Sequence, residues 1–232
     1  MKIIKNENLI ARNGKIGQYV SLGALVVLGG GMWLSFSRPE LFTYSLICLF
    51  VGFIMTQIGM YMGNRYGRSP RPDEKLDAGL KGLPNEFAID HYSTSASHLL
   101  VGPAGVWILM PYHQRGEVTY KKNRWQMKGG GFMQNYMRIF GQEGLGRPDI
   151  EMDSEIKALR KYFAKRMEES EIPEINSMLV FTSDDDKVNI EAEGAPVPTM
   201  KLKQIKDFFR QKAKEKPIGQ LQLEATRTAL PE

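Results

Sequence analysis

The sequence predicts an α/β protein, with an N-terminal two-helix transmembrane hairpin followed by a core of mixed, largely antiparallel sheet flanked by helices. Two uncharged apolar stretches, 18–37 and 41–63, are separated only by Arg38-Pro39-Glu40. Each is near the ~20 residues that a helix needs to cross a bilayer. Two continuously apolar runs, Leu99–Val101 and Val106–Met110, flank a turn rich in glycine and proline. Helical periodicity brackets these strands on either side.

Residues 1–17 form a basic N-terminus, with Lys2, Lys5, Arg12 and Lys15 against Glu7. The chain carries a formal net charge of +5 over 232 residues, and from Asn64 onward it is nearly balanced. The excess therefore sits around the apolar stretches, which points to lipid headgroups before nucleic acid. Arg65, Arg68 and Arg71 flank the far end of the hairpin. By the positive-inside rule both termini are expected in the cytoplasm, at the cell membrane. A secretory signal is the competing reading of the first stretch. That stretch starts late, lacks a clear cleavage site and is followed at once by a second span. Gly52 with Thr56, and Gly59 with Gly63, fit a small-xxx-small pattern for close helix packing, within the hairpin or between chains. Cys48 is the single cysteine, so neither an intramolecular disulfide nor a cysteine-based zinc site can form.

A linker over 64–72 leads to a domain over 73–214. Asp73–Leu83 reads as a helix with Leu76, Leu80 and Leu83 on one face, ended by Pro84. Glu86–Tyr92 reads as a strand, followed by the apolar hairpin and then Glu117–Tyr120 and Arg124–Met127 as further antiparallel strands. Gly129–Gly146 is glycine-rich with interspersed aromatics, read as a pinned loop or an interfacial patch. Asp149–Glu169 is the clearest amphipathic helix. Ser177–Thr182 reads as a buried strand, Val188–Glu191 and Val197–Thr199 as short ones, and Met200–Lys214 as a closing helix. Residues 215–232 are polar, with two prolines, and are expected to be disordered.

The hairpin is the most specific feature. Pro103 pre-sets φ for a turn, and Gly102 and Gly105 permit positive φ. The framework His98, Val101, Gly102, Pro103, Gly105, Val106 and Gly116 resembles the nuclease-related (NERD) domain of the PD-(D/E)XK nuclease-like superfamily. The resemblance covers about 73–213 and implies a restriction-endonuclease-like core. It also implies three chemical positions, an Asp, a Glu and a Lys, which fall here on Ser97, Met110 and Tyr112. Glu74 matches an acid in the family's first helix. The family's Asn-Pro-x-x-Gln entry to its central helix falls on Arg147-Pro148-Asp149-Ile150-Glu151, with the flanking amides replaced by charged groups.

Cleavage of a phosphodiester with Mg²⁺ requires carboxylates, because a hard cation prefers charged oxygen ligands. Serine, methionine and tyrosine do not supply them, so only Glu74 remains at a matched position. Asp90 and Glu117 on neighbouring predicted strands, with Lys121 for charge, are the residues that could rebuild such a site. His98 and His113 flank different ends of the hairpin without a third partner, and Asp184-Asp185-Asp186 reads as a solvated turn. The expectation is a membrane-anchored, catalytically inactive module without a resident cofactor. Its partners would be the bilayer together with nucleic acid or a membrane or cytoplasmic protein. The alternatives are an Mg-dependent nuclease with relocated acids and a structural subunit of a membrane complex.

Overall fold

The computed structural model describes residues 1–128, 145–184 and 187–231. The predicted segment 129–146, apart from its last two residues, lies outside them, as do Asp185 and Asp186 of the acidic turn. The chain forms two compact units, one of residues 7–71 and one joining residues 1–6 to 72–232.

The first unit is a helical hairpin, α1 (Glu7–Ser37) and α2 (Phe42–Met62), both long and apolar enough to cross a membrane. The first helix starts eleven positions before the apolar stretch expected at residue 18, so most of the basic N-terminus is already helical. The small residues hold the pair together. A Cβ on Gly31 would come within 2.7 Å of Cys48 Cβ, and one on Gly59 within 3.1 Å of the Ser21 backbone nitrogen. Ser45 Oγ donates across the pair to the Gly31 carbonyl at 2.7 Å. Gly59 therefore serves packing inside the hairpin. Gly59→Leu is expected to force the helices apart. The check is the rate at which a membrane-permeant maleimide labels the half-buried Cys48, which should rise severalfold when the helices part.

The second unit is built on a six-stranded sheet in the order β1-β2-β3-β4-β7-β9. These strands are β1 (Lys2–Lys5), β2 (Ala88–His91), β3 (His98–Gly102), β4 (Gly105–Tyr112), β7 (Ile175–Phe181) and β9 (Thr199–Lys201). Three pairings, β1 with β2, β4 with β7 and β7 with β9, are parallel; only β3 runs antiparallel to its neighbours. The expected largely antiparallel sheet is thus corrected. A tight turn reveals one antiparallel pair, whereas the parallel pairs are joined by longer connections, through helices or, for β7 and β9, through β8. The remaining strands, β5 (Gly116–Lys121), β6 (Arg124–Lys128) and β8 (Val188–Glu191), form a separate three-stranded sheet.

Helices cover both faces, as the continuously apolar strands predict. On one face lie α3 (Pro72–Leu80) and α5 (Ile205–Glu215), whose Leu76, Leu80, Ile205 and Phe209 pack with Ile89, Leu100, Leu109 and Val180. On the other lie α4 (Pro148–Phe163) and α6 (Gln220–Thr228), packed on Leu99, Val101, Ile108 and Leu179. Proline opens α3 and α4 at a position where no amide hydrogen is needed, and acids in both first turns suit the helix dipole.

Two segments differ from expectation at the chain ends. Lys2–Lys5 is an edge strand, pairing with β2 in parallel register. The tail forms α6, and Leu223, Ala229 and Leu230 join the core. Leu223, Thr226 and Leu230 recur at helical spacing and turn inward, a pattern that the tail's overall polarity obscured.

Candidate functional site

With β3 as the only reversed strand, the carboxyl ends of β1, β2, β4, β7 and β9 share one edge of the sheet. In open α/β sheets this is the edge where ligands bind. The hairpin places Ser97 and Tyr112 there. Gly105 adopts φ +101° at the opposite turn, and a side chain on Gly102 would run into the Phe87 ring.

On the α4 face, Ser97 Oγ donates to Glu155 Oε1 at 2.7 Å, and its backbone amide donates to Oε2 at 3.3 Å. Tyr112 donates from its hydroxyl to Glu151 Oε2 at 2.9 Å. Glu151 and Glu155 stand one helical turn apart, so the same face of α4 presents both carboxylates. Between these contacts Met110 is buried in the apolar core, opposite Leu179 on β7. Burial, with the Glu151 and Glu155 carboxylates beside it, pushes the Tyr112 phenol well above its ordinary range. The Tyr112 side chain is therefore neutral and donates one hydrogen bond.

A phenol held in its protonated form contributes stability that is complete below its unfolded value and lost as pH rises above it. Stability should accordingly decline above pH ~10, and Tyr112→Phe should remove that decline. At neutral pH the variant should lose about 1 kcal/mol. Urea titrations of both proteins at the two pH values provide the check.

The other candidates do not join this pair. Asp90 faces the same side, 1% exposed, with Oδ1 accepting from the amides of Ser93 and Thr94 and from the Thr94 hydroxyl. Its Oδ2 has no partner among the described residues. Glu74 lies in the first turn of α3, which covers the opposite face. Glu117 and Lys121 belong to β5 in the second sheet, so Glu117 does not neighbour the strand of Asp90 as expected. Gly116 opens that strand at φ +116°, and its amide donates to the Lys187 carbonyl at 2.7 Å. Among the described residues, no three His, Cys, Asp or Glu side chains converge as a metal site. The residues present therefore do not fit the Mg²⁺ that the resemblance implies.

The opposite face holds a polar chain that sequence reasoning missed. His91 and His98, 0% and 1% exposed, lie side by side on β2 and β3 with their Nδ1 atoms 2.8 Å apart. His91 Nε2 donates to Asp77 Oδ1 at 3.0 Å, as the acceptor-only carboxylate requires. In the neutral pair, His98 Nδ1 then donates to His91 Nδ1. The Tyr92 hydroxyl lies 3.4 Å from His98 Nε2, and Tyr92 itself has φ +64°. At the far end, Lys5 bridges Asp77 at 2.5 Å and the fully buried Asp73 at 3.2 Å. Burial alone would raise the Asp77 pKa, but its bonds with His91 and Lys5 outweigh this and hold the carboxyl below the usual range. His98 is thus a buried, hydrogen-bonded framework residue. The i, i+4 spacing of Asp73 and Asp77 was the one sequence signal for this chain.

A separate concavity of about 580 Å³ lies between the end of α4 and α6, lined by Tyr162, Arg166, Glu171 and Thr228 among others. Arg166 stacks on the Tyr162 ring at 3.7 Å. No family model matches this chain, and no curated protein or solved structure matches it either.

Proposed function

We propose that this chain is a membrane-anchored, cytoplasm-facing domain of the NERD kind that has exchanged nuclease chemistry for a binding or scaffolding role. The observation that carries this reading is the pair of bonds Ser97–Glu155 and Tyr112–Glu151. Two positions that would hold a metal acid and a catalytic cation are instead tied to glutamates of α4. A restriction-endonuclease-like core is supported by the order α3-β2-β3-β4-α4-β7, with β4 and β7 parallel and the two helices on opposite faces.

Anchoring is supported by the chain's path. Strand β1 precedes the two apolar helices in sequence, yet it pairs with β2, which follows them. Both ends of the hairpin must then lie on one side of a membrane, which agrees with two crossings. The basic flanks favour the cytoplasmic side.

A protein fits the site better than nucleic acid does. Asp149, Glu151, Asp153 and Glu155 give the first half of α4 a run of acids that repels phosphates. Ile150, 52% exposed beside them, offers apolar contact. In favour of a nuclease with relocated acids stands Asp90, buried with one oxygen unpartnered among the described residues; it lacks converging carboxylates.

The test uses purified full chain in lipid nanodiscs. The expected result is no cleavage of single- or double-stranded DNA with Mg²⁺ or Mn²⁺, and no salt-sensitive DNA binding at the α4 face. A photo-cross-linker at Ile150 should capture a discrete protein in native membranes, and Glu151→Lys should weaken that capture. Metal-dependent cleavage abolished by Asp90→Asn would overturn the proposal.

A further inference from the structure

The near-balance of charge beyond Asn64 conceals a segregation. Residues 201–216 carry seven cations against two acids, Asp207 and Glu215, an excess equal to the formal +5 of the whole chain. The structure orders them. Ile205 and Phe209 turn the apolar side of α5 into the core, and Phe208 packs edge-on against Trp107. Lys206, Arg210 and Lys214 recur every four residues, and therefore line the solvent side of the helix as one ridge. Lys203, in the 3-10 turn Leu202–Gln204 that leads into α5, extends the line. Arg210 donates to the Gly82 carbonyl at 2.8 Å, which brings the end of α3 and the exposed Lys81 alongside. Two acids offset the cations from within the helix: Asp207, 3.5 Å from Arg210, and Glu215, 3.9 Å from Lys212.

We infer that this ridge is a docking surface for anionic lipid headgroups. It goes beyond the role proposed for the α4 face and rests only on the anchored reading of the apolar hairpin. Two features select lipid. The unit carrying the ridge is tethered at both ends of that hairpin: Asn6 alone separates β1 from α1, and residues 68–71 separate the helical stretch ending at Gly67 from α3. Four residues span at most ~14 Å, so a nearby bilayer is present at high effective concentration. The ridge is also a straight line of cations on a convex helix, with its aromatics turned inward. It suits a planar charged surface better than single-stranded nucleic acid, which needs exposed stacking platforms.

The full chain is reconstituted in nanodiscs of neutral phosphatidylcholine, or with a third of the lipid replaced by phosphatidylserine. Lysine acylation is then followed by mass spectrometry. Lys203, Lys206 and Lys214 should react at least about threefold more slowly in anionic discs, the least expected of several cations held at a charged surface. Salt should reverse the effect. Lys157 on α4, with its side chain 75% exposed, should react equally in both. Lys206→Glu with Arg210→Glu should abolish protection of Lys203 and Lys214. Equal rates for the ridge lysines in both discs would overturn the inference, as would protection in neutral discs that appears only on adding DNA. Failure of the chain to insert at all would instead remove the anchored reading.

Discussion

Replacing Lys5 with methionine should destabilise the sheet-containing unit by about 3 kcal/mol, the low end for breaking a buried ion pair. Lys5 is the cation shared by Asp73, which is fully buried, and by Asp77, which also receives the hydrogen bond from His91. Methionine preserves the packing of the side-chain stem, so the loss isolates the charge. It leaves two carboxylates facing each other without the ammonium between them. Lys2→Met on the same strand, at an exposed position, should change stability by less than about 0.5 kcal/mol. Urea unfolding of the detergent-solubilised full chain, followed by tryptophan fluorescence, separates these outcomes.

The same substitution should alter the response to acid. Burial opposes ionisation of Asp77, yet His91 and Lys5 depress its pKa overall. A depressed carboxyl stabilises the fold above its unfolded value, and that contribution is lost as pH falls through the folded value. Wild-type protein should therefore lose this stability only below pH ~4. In Lys5→Met this acid-dependent loss should be smaller, because one of the two depressing partners is gone and the folded value moves back towards the unfolded one. Equal acid profiles in the two proteins would show that Lys5 does not govern Asp77.

What could be read from the sequence divides along a physical line. Features set by local periodicity were legible, including the two apolar helices, the hairpin at Gly102–Gly105 and the amphipathic segments at α3, α4 and α5. Features set by pairing across long stretches of chain were not. Nothing local in Lys2–Lys5 says that it joins β2 more than eighty residues later, nor does the turn between β5 and β6 say that they leave the main sheet. The candidate site follows the same division. The blank positions Ser97, Met110 and Tyr112 were visible, but their new partners, Glu151 and Glu155, come from another element. His91 was hidden beside Asp90 at the end of a short strand, and only the register opposite His98 gives it meaning.

The sharpest test of the proposed NERD kinship is to restore its three chemical positions. Ser97→Asp, Met110→Glu and Tyr112→Lys together return the three matched positions to the residue types the family resemblance implies. Without metal the variant should be markedly less stable than the parent. Met110 is 8% exposed, and a carboxylate at that depth lacks solvation. The new carboxylates at 97 and 110 would also repel Glu151 and Glu155, while the ammonium at 112 would face Glu151. A divalent cation bound by the new acids should reverse this loss, adding about 2.7 kcal/mol when its concentration is a hundred times the dissociation constant. The parent should show no such gain. Thermal unfolding with and without Mn²⁺ reads the difference, and DNA cleavage by the restored protein is the accompanying functional readout. Should the triple variant not fold, Ser97→Asp with Tyr112→Lys retains Met110 and keeps the comparison open. A folded variant that Mn²⁺ leaves unchanged would mean that these positions never framed a metal site, and the NERD reading of the hairpin would fall with it. A metal-dependent gain would mean the opposite: the framework around Gly102-Pro103-Ala104-Gly105 still aims three side chains at a common point, and the bonds to Glu151 and Glu155 occupy what was catalytic space.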